Sequence, residues 1–372
     1  MAGRTIIVGA GPAGLAAAAC LWRAGVRATV LERAPAIGAA WRSHYDRLHL
    51  HTPKEGSALP GLAFPDEVPR YPSRAQVIEY LERYASLLPD PPRTNENVIG
   101  VRRHDGRWLV RTTRAEHDAN HLVIATGYNC VPHLPSWPDR ERFEGEVLHS
   151  SAYSNGASYR GRDVLVIGFG NSGGEIAIDL VEHGARVALA VRGPVNIVPR
   201  DILGIPAQKF SIAERWLPPW MVDTVNGAIL RFVRGDLTAY GLKRATIGPA
   251  TQIATRGRIP LIDIGTVDLI KEGRIDVYPG VARFTRDAVL FTNGSTRRFD
   301  AVVLATGYRP GLDAFLENAA SVCDDRGVPL ASGTRTALPG LYFCGFRVTA
   351  TGLLREIGLE AGRIAEVLLA AP

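Results

Sequence analysis

Apolar residues fall along this chain in two kinds of run, and their alternation predicts the fold class. Short unbroken runs such as Thr5–Val8 read as strands buried on both faces. The stretch that follows, PAGLAAAACLWR, reads as a helix entered from a glycine-rich turn, and ATVL at 28–31 reads as a second strand. The same strand, turn, helix and strand return from Gly161 in GRDVLVIGFGNSGGEIAIDLVEHGARVALAVR. A third pattern is also duplicated: LVIATGY at 122–128 and AVVLATGY at 301–308 are each an apolar strand ending in Ala-Thr-Gly. The reading is α/β, with two Rossmann-like dinucleotide-binding domains in tandem. The repeat is far too long for a solenoid.

The order of these elements places one domain inside the other. Residues 1–155 and 300–372 are expected to form the first domain and 156–299 the second, with the Ala-Thr-Gly strands at the crossings. The stretch 199–260, with WLPPW at 216–220, fits neither Rossmann pattern. It reads as helical and apolar, and either walls a substrate pocket or packs between domains.

The glycine-rich turns carry the chemistry. Gly9, Gly11 and Gly14 (with Pro12 and Ala13 between) follow the first strand. In such a turn the first glycine allows a tight bend and the second lets the backbone approach a pyrophosphate. The third lets helix and strand pack closely, and the helix N-terminus supplies partial positive charge. Glu32 ends the next strand, 23 residues after Gly9. A carboxylate there accepts hydrogen bonds from both hydroxyls of an unphosphorylated ribose, which points to FAD. The second turn is Gly168, Gly170, Asn171, Ser172 and Gly173. Here the same 23-residue count lands on Val191, followed by Arg192. An apolar residue in place of the acid, followed by arginine, suits a 2′-phosphate and favours NADPH over NADH. Arg200 is a second candidate phosphate contact. The first domain thus reads as FAD-binding and the inserted one as NADPH-binding, with hydride passing from nicotinamide to flavin.

Composition narrows the field. Hydrophobic residues at 46% and charged residues at 22% are the balance of a globular protein. No apolar run approaches the roughly 18 residues that cross a bilayer, so membrane insertion is not expected. The first strand begins at Thr5, so no secretory segment is expected and the location reads as cytoplasmic. The net charge of +6 is dispersed, which argues against nucleic acid and suits anionic dinucleotides. The four cysteines (Cys20, Cys130, Cys323, Cys344) form no Cys-x-x-Cys pair, so neither a thiolate metal site nor dithiol chemistry is expected.

Between the two folds lies FEGEVLHSSAY, with Phe143, Gly145, His149 and Tyr153. This closely resembles the F-x-G-x-x-x-H-x-x-x-(W/Y) motif that identifies the flavin-containing monooxygenases, a linker on which domain orientation depends. His149 is not read as catalytic. Four further stretches are similar to plant YUCCA-type indole-3-pyruvate monooxygenases: residues 45–85, PRDILGI at 199–205, residues 256–277 and the C-terminal GLYFCGF…GLEAGRIAEVL. The resemblance spans nearly the whole chain. It implies FAD, NADPH and a flavin (hydro)peroxide that passes one atom of dioxygen to a small organic substrate. An aryl 2-oxo acid such as indole-3-pyruvate, losing carbon dioxide, is the substrate so implied. Heteroatom or Baeyer–Villiger oxygenation, and electron transfer to a partner by an NADPH–flavin reductase, are the alternatives.

Further candidate cofactor positions are Arg33, Trp41, Arg42, Thr126, Gly127 and Gly345. Many family members carry an asparagine three residues before the lysine of the 45–85 segment, thought to steady the hydroperoxide. Here that position is His51, before Lys54, as in the YUCCA branch. An imidazole there can manage a proton near neutral pH, which makes His51 the candidate catalytic residue, with packing near the flavin as its alternative role.

Overall fold

The computed structural model describes residues 4–370, without the side chains of Arg231, Phe232 and Arg234. The chain divides into two compact units: Met1–Arg42, Thr52–Val131 and Tyr308–Pro372 form one, Ser43–His51 and Pro132–Gly307 the other.

In the first unit β1 (Thr5–Val8) is central. It pairs in parallel with β2 (Ala28–Leu31) and with β3 (His121–Ile124), and the strand Leu341–Phe343 adds in parallel beyond β3. Val8 faces Leu31 on one side and Ile124 on the other. Every residue of β1 is buried, which explains why TIIV lacks polar alternation. Between β1 and β2 runs α1 (Pro12–Arg23), capped by Gly11 with proline in its first turn. Its alanines allow close packing on the C-terminal helix Leu353–Leu369. An antiparallel meander, Val98–His104, Arg107–Thr112 and Glu116–Ala119, leads directly into β3. Its buried Trp108 shares one core with Ile6, Leu31, Ile124 and Leu341.

The second unit repeats the plan. Its parallel sheet holds β4 (Glu146–His149), β5 (Asp163–Ile167), β6 (Arg186–Ala190), β7 (Ile275–Tyr278) and β8 (Ala301–Leu304), in the order β7-β6-β5-β8-β4. Helix α2 (Asn171–Glu182) follows β5. A second meander over 281–298 leads into β8, as the first leads into β3. Within 199–260 lie the helices Ala207–Ala213, Pro219–Arg234 and Pro249–Arg256. The Asp223 carboxylate accepts from the amides of Ala250 and Thr251, at 2.8 and 2.9 Å, and so ties the second of these helices to the third.

The boundaries differ from those drawn at 155 and 300. Residues 132–155 and 300–307 lie in the second unit because β4 and β8 are strands of its sheet. Residues 43–51 also belong there. Tyr45 is buried in the core around α2, Leu48 packs against it, and Arg47 forms a two-bond pair with Glu182 at 2.8 and 2.9 Å.

The residues of FEGEVLHSSAY are structural within this unit. Phe143 meets Phe284 edge-on at 5.5 Å between ring centroids. His149 Nε2 donates to the Gly307 carbonyl at 3.0 Å while Nδ1 accepts from the Ser151 amide at 3.1 Å. Burial pushes its pKa below the usual imidazole value, which favours this neutral, doubly engaged ring. Tyr153, buried, donates its hydroxyl to the buried Asp179 carboxylate at 2.6 Å. Tyr153→Phe leaves that carboxylate oxygen without its donor and is expected to cost about 1–3 kcal/mol. A lowered thermal midpoint by circular dichroism is the check; an unshifted midpoint refutes the anchoring role.

Candidate active site

The two glycine-rich turns share a geometry that their sequences only partly announce. Gly9 has φ +103°, and a Cβ there would lie 2.7 Å from the carbonyl oxygen of Ala125. Gly168 has φ +110°, and its Cβ would lie 2.4 Å from the carbonyl oxygen of Ala305. Each first glycine therefore sits against the alanine of an Ala-Thr-Gly strand end. Each third glycine is excluded from carrying a side chain by its own turn: Cβ atoms on Gly14 and Gly173 would reach 1.8 and 2.0 Å from the first glycine's carbonyl oxygen. The middle glycines are the opposite case. Around Gly11 and Gly170 an added Cβ meets no protein atom within 4 Å. These are the helix N-caps, neither with a side-chain cap, so open space lies in front of amides that have no intrahelical acceptor. Both turns thus fit a dinucleotide pyrophosphate.

At the first turn the structure gathers most of the expected residues at the carboxyl ends of β1, β2 and β3. Glu32 is 8% exposed, and its two carboxylate oxygens accept from the amides of Ala10 (2.8 Å) and Ala34 (2.9 Å). The carboxylate is thereby held beside the turn with acceptor capacity to spare. Arg33 is exposed next to it, and Gly127 has φ +87° with open space around it. Thr126 Oγ1 is buried with no hydrogen-bond partner among the described residues. Its counterpart in the second unit, Thr306, donates to the His133 carbonyl at 2.5 Å. An orphaned hydroxyl beside an open cradle fits a bound FAD, whose oxygens would supply the missing partner.

Two further candidates, Arg42 and Gly345, also have partners within the chain. Arg42, on the short helix Ala39–Arg42, donates to the Ile37 carbonyl at 2.9 Å and pairs with Glu82, while Trp41 beside it is half-buried. Gly345 abuts the Ala13 methyl, but its amide donates to Glu360 at 2.5 Å.

At the second turn, Ser172 is half-buried. The Asn171 side-chain oxygen accepts from the Ile262 amide at 2.8 Å, so this residue ties the turn to the strand Leu261–Asp263. Val191 is buried and Arg192 exposed, with the arginine stem lying over Gly280. No carboxylate pairs with Arg192 among the described residues, whereas Arg200 lies 3.6 Å from Asp201. The Arg192 guanidinium could therefore hold a 2′-phosphate.

His51 meets a residue the sequence reading missed. Its Nε2 is hydrogen-bonded to Glu175 Oε1, and Glu175 is 1% exposed on α2. The signal was present as acids at 175, 179 and 182, which share one helical face inside an otherwise apolar helix. His49, in the same segment, donates Nδ1–H to the Arg47 carbonyl at 2.6 Å. A cavity of about 430 Å³ opens elsewhere in this unit, with Val195, Ile197, Leu230, Leu237 and Leu242 among its walls. All four cysteines are free, and burial raises every one of their thiol pKa values, away from reactive thiolate.

Known proteins agree with this geometry. The family described as "Pyridine nucleotide-disulphide oxidoreductase" matches residues 6–202. Indole-3-pyruvate monooxygenase YUCCA1 of Oryza sativa subsp. japonica is 41% identical over 357 residues, covering 94% of this chain and 87% of the rice protein. YUCCA6 of Arabidopsis thaliana, also an indole-3-pyruvate monooxygenase, is 39% identical over 374 residues, covering 97% and 89%. The chain belongs to the YUCCA branch of the flavin monooxygenases.

The fold of this flavin monooxygenase is shared with solved structures at low identity. A flavin-containing monooxygenase from Stenotrophomonas maltophilia superposes with a TM-score of 0.76 at 23% identity, over 99% of this chain and 98% of that one. Cyclohexanone monooxygenase in an open form gives 0.70 at 19% identity, over 98% and 87%. The monooxygenase is an FAD- and NADPH-dependent enzyme. No helix among its described residues is long and apolar enough to cross a membrane.

Two substitutions test the cofactor cradles. Glu32→Ala is expected to purify largely without flavin, and the wild type to release FAD on denaturation; full FMN occupancy of the wild type refutes the first assignment. Arg192→Ala is expected to spare FAD content but lose about ten- to a hundredfold in apparent NADPH affinity, the worth of one charge-assisted hydrogen bond. An unchanged ratio of NADPH to NADH efficiency in steady-state kinetics transfers the phosphate to another residue.

Proposed function

We propose that this monooxygenase converts an aryl 2-oxo acid of the indole-3-pyruvate type to the acid one carbon shorter. The reaction consumes one dioxygen and one NADPH with a proton, and releases carbon dioxide, water and NADP⁺. The observation that carries the reading is the pairing of two dissimilar dinucleotide cradles, Glu32 at one and Val191–Arg192 at the other, in a chain whose thiols are unsuited to dithiol transfer. The names of the rice and Arabidopsis relatives support the substrate class.

When bound, FAD reduced by NADPH supplies the activation of dioxygen. The chain's own part is binding and proton control. Gly9, Gly11 and Gly14, with Glu32, would hold the pyrophosphate and ribose of FAD, and Thr126 would add its hydroxyl. Gly168, Gly170 and Gly173 would hold the second dinucleotide, with Arg192 on its phosphate. His51 handles the proton that decides whether the activated oxygen meets a ketone carbon as a nucleophile. Its anchoring by a buried carboxylate supports that role over loose packing, and His49, spent on a local carbonyl, lacks it.

Labelled dioxygen with indole-3-pyruvate is expected to place one oxygen-18 atom in the product acid. His51→Ala is expected to lower product formed per NADPH and raise hydrogen peroxide, while His49→Ala tracks wild type. Equal coupling in all three proteins, measured as product and peroxide against NADPH consumed, removes His51 from the chemistry. NADPH oxidation that requires an added electron acceptor and yields no labelled product identifies a reductase instead.

A further inference from the structure

Glu175 is a buried acid that the cofactor cradles do not use. Its carboxyl group is 1% exposed, Oε1 takes His51 Nε2, and Oε2 has no hydrogen-bond partner among the described residues. Leaving that acceptor buried and unpaired costs about 1–3 kcal/mol, a cost that Glu360, with its Oε1 unpaired, also carries. The other two acids on this face of α2 serve as anchors of the ordinary kind. Asp179 accepts the Tyr153 hydroxyl and lies 3.4 Å from His183, and Glu182 takes two bonds from Arg47. Of the three, only the Glu175 carboxylate is hydrogen-bonded to a histidine ring among the described residues, since His183 Nδ1 donates to the Asp179 backbone carbonyl at 2.7 Å.

We propose that Glu175 is a positioning residue for His51: its carboxylate accepts Nε2–H, fixes the imidazole in that tautomer, and leaves Nδ1 as the nitrogen that takes and returns a proton. The inference rests on the reading of His51 as the proton-handling group. Three features hold the arrangement. Nδ1 of His51 makes no hydrogen bond among the described residues, so one edge of the ring is clamped and the other is open. Glu175 is held on α2, whose backbone fixes where its carboxylate meets the ring, and the Arg47 cation lies near enough to interact with it. The backbone of the histidine is fixed to the same helix at the other end of its segment, by Arg47 on Glu182 and by the buried Tyr45 ring. A neutral imidazole whose Nε2 must donate has only Nδ1 left as a base, and this is how a carboxylate partner sets which nitrogen reacts.

The test uses two readouts. In the holoenzyme labelled with nitrogen-15 at histidine, long-range proton–nitrogen correlation spectra report each ring nitrogen separately. Wild type is expected to show His51 as one tautomer, Nε2 protonated and Nδ1 bare. Glu175→Leu, which offers no acceptor, is expected to give averaged shifts at both nitrogens. In the holoenzyme, a double-mutant cycle with His51→Ala is read as product per NADPH with indole-3-pyruvate as the probe. Glu175→Leu is expected to lower that ratio about tenfold, within the range of directly contacting pairs. It is expected to lower it no further when His51 is already alanine. Glu175→Gln, whose amide oxygen still accepts, is expected to recover part of the loss, and it carries the cycle if the leucine variant does not fold.

An unaltered His51 tautomer without the acid overturns the proposal. So does an equal loss of coupling with and without His51. Wild-type coupling in His51→Ala alone refutes the catalytic reading of His51 and leaves the ring-nitrogen spectra to decide the positioning role.

Discussion

The structure depends on one close approach made twice. In each unit the backbone leaving the central strand passes so near the alanine carbonyl of the neighbouring strand that only glycine fits, at Gly9 against Ala125 and at Gly168 against Ala305. A methyl group at either position would push the turn outward. The helix N-terminus would then leave the carboxyl end of the sheet, and the acid or arginine that ends the following strand would no longer lie beside it. The phosphate cradle is therefore a consequence of strand packing as much as of the turn itself. It also accounts for the duplicated Ala-Thr-Gly: the alanine is the wall, and the glycine two residues on, at φ +87° in both copies, lets the chain turn away.

Much of this was legible because it is local. Strand, turn and helix in each unit follow from apolar runs and from glycines whose φ values or contacts admit nothing else, and the count of 23 residues to Glu32 or Val191 is a property of the chain alone. What the sequence hid was long-range. The boundary at 155 was misplaced because β4 reads as a linker until its parallel pairing with β8 is seen. Asn171, Arg42 and Gly345 are cofactor candidates by position, and the sequence did not show that each also bonds within the chain, to Ile262, Glu82 and Glu360. Glu175 was the converse, a residue with no motif whose meaning appears only when His51 is placed against it, 124 positions away.

The acids of α2 show how a cofactor-binding helix can serve two ends at once. Its first residues face outward with unsatisfied amides, while the face carrying Glu175, Asp179 and Glu182 receives His51, Tyr153 and Arg47. The hydrogen bonds of that face fix the helix in rotation. A helix free to roll would carry its N-terminal amides out of line with an incoming pyrophosphate, so these side-chain contacts pre-set the cradle that lies a turn away.

The excursion of residues 43–51 has an evolutionary corollary. A two-unit chain of this kind looks as if its inserted half could be exchanged between relatives as one cassette, cut at 131 and 307. It is not a cassette. Nine residues on the far side of the first cut complete its core through Tyr45 and supply the histidine that meets its buried acid. Recombination at those seams would draw Glu175 from one parent and Tyr45 and His51 from the other, so the core and the buried pair would each be assembled from two sources.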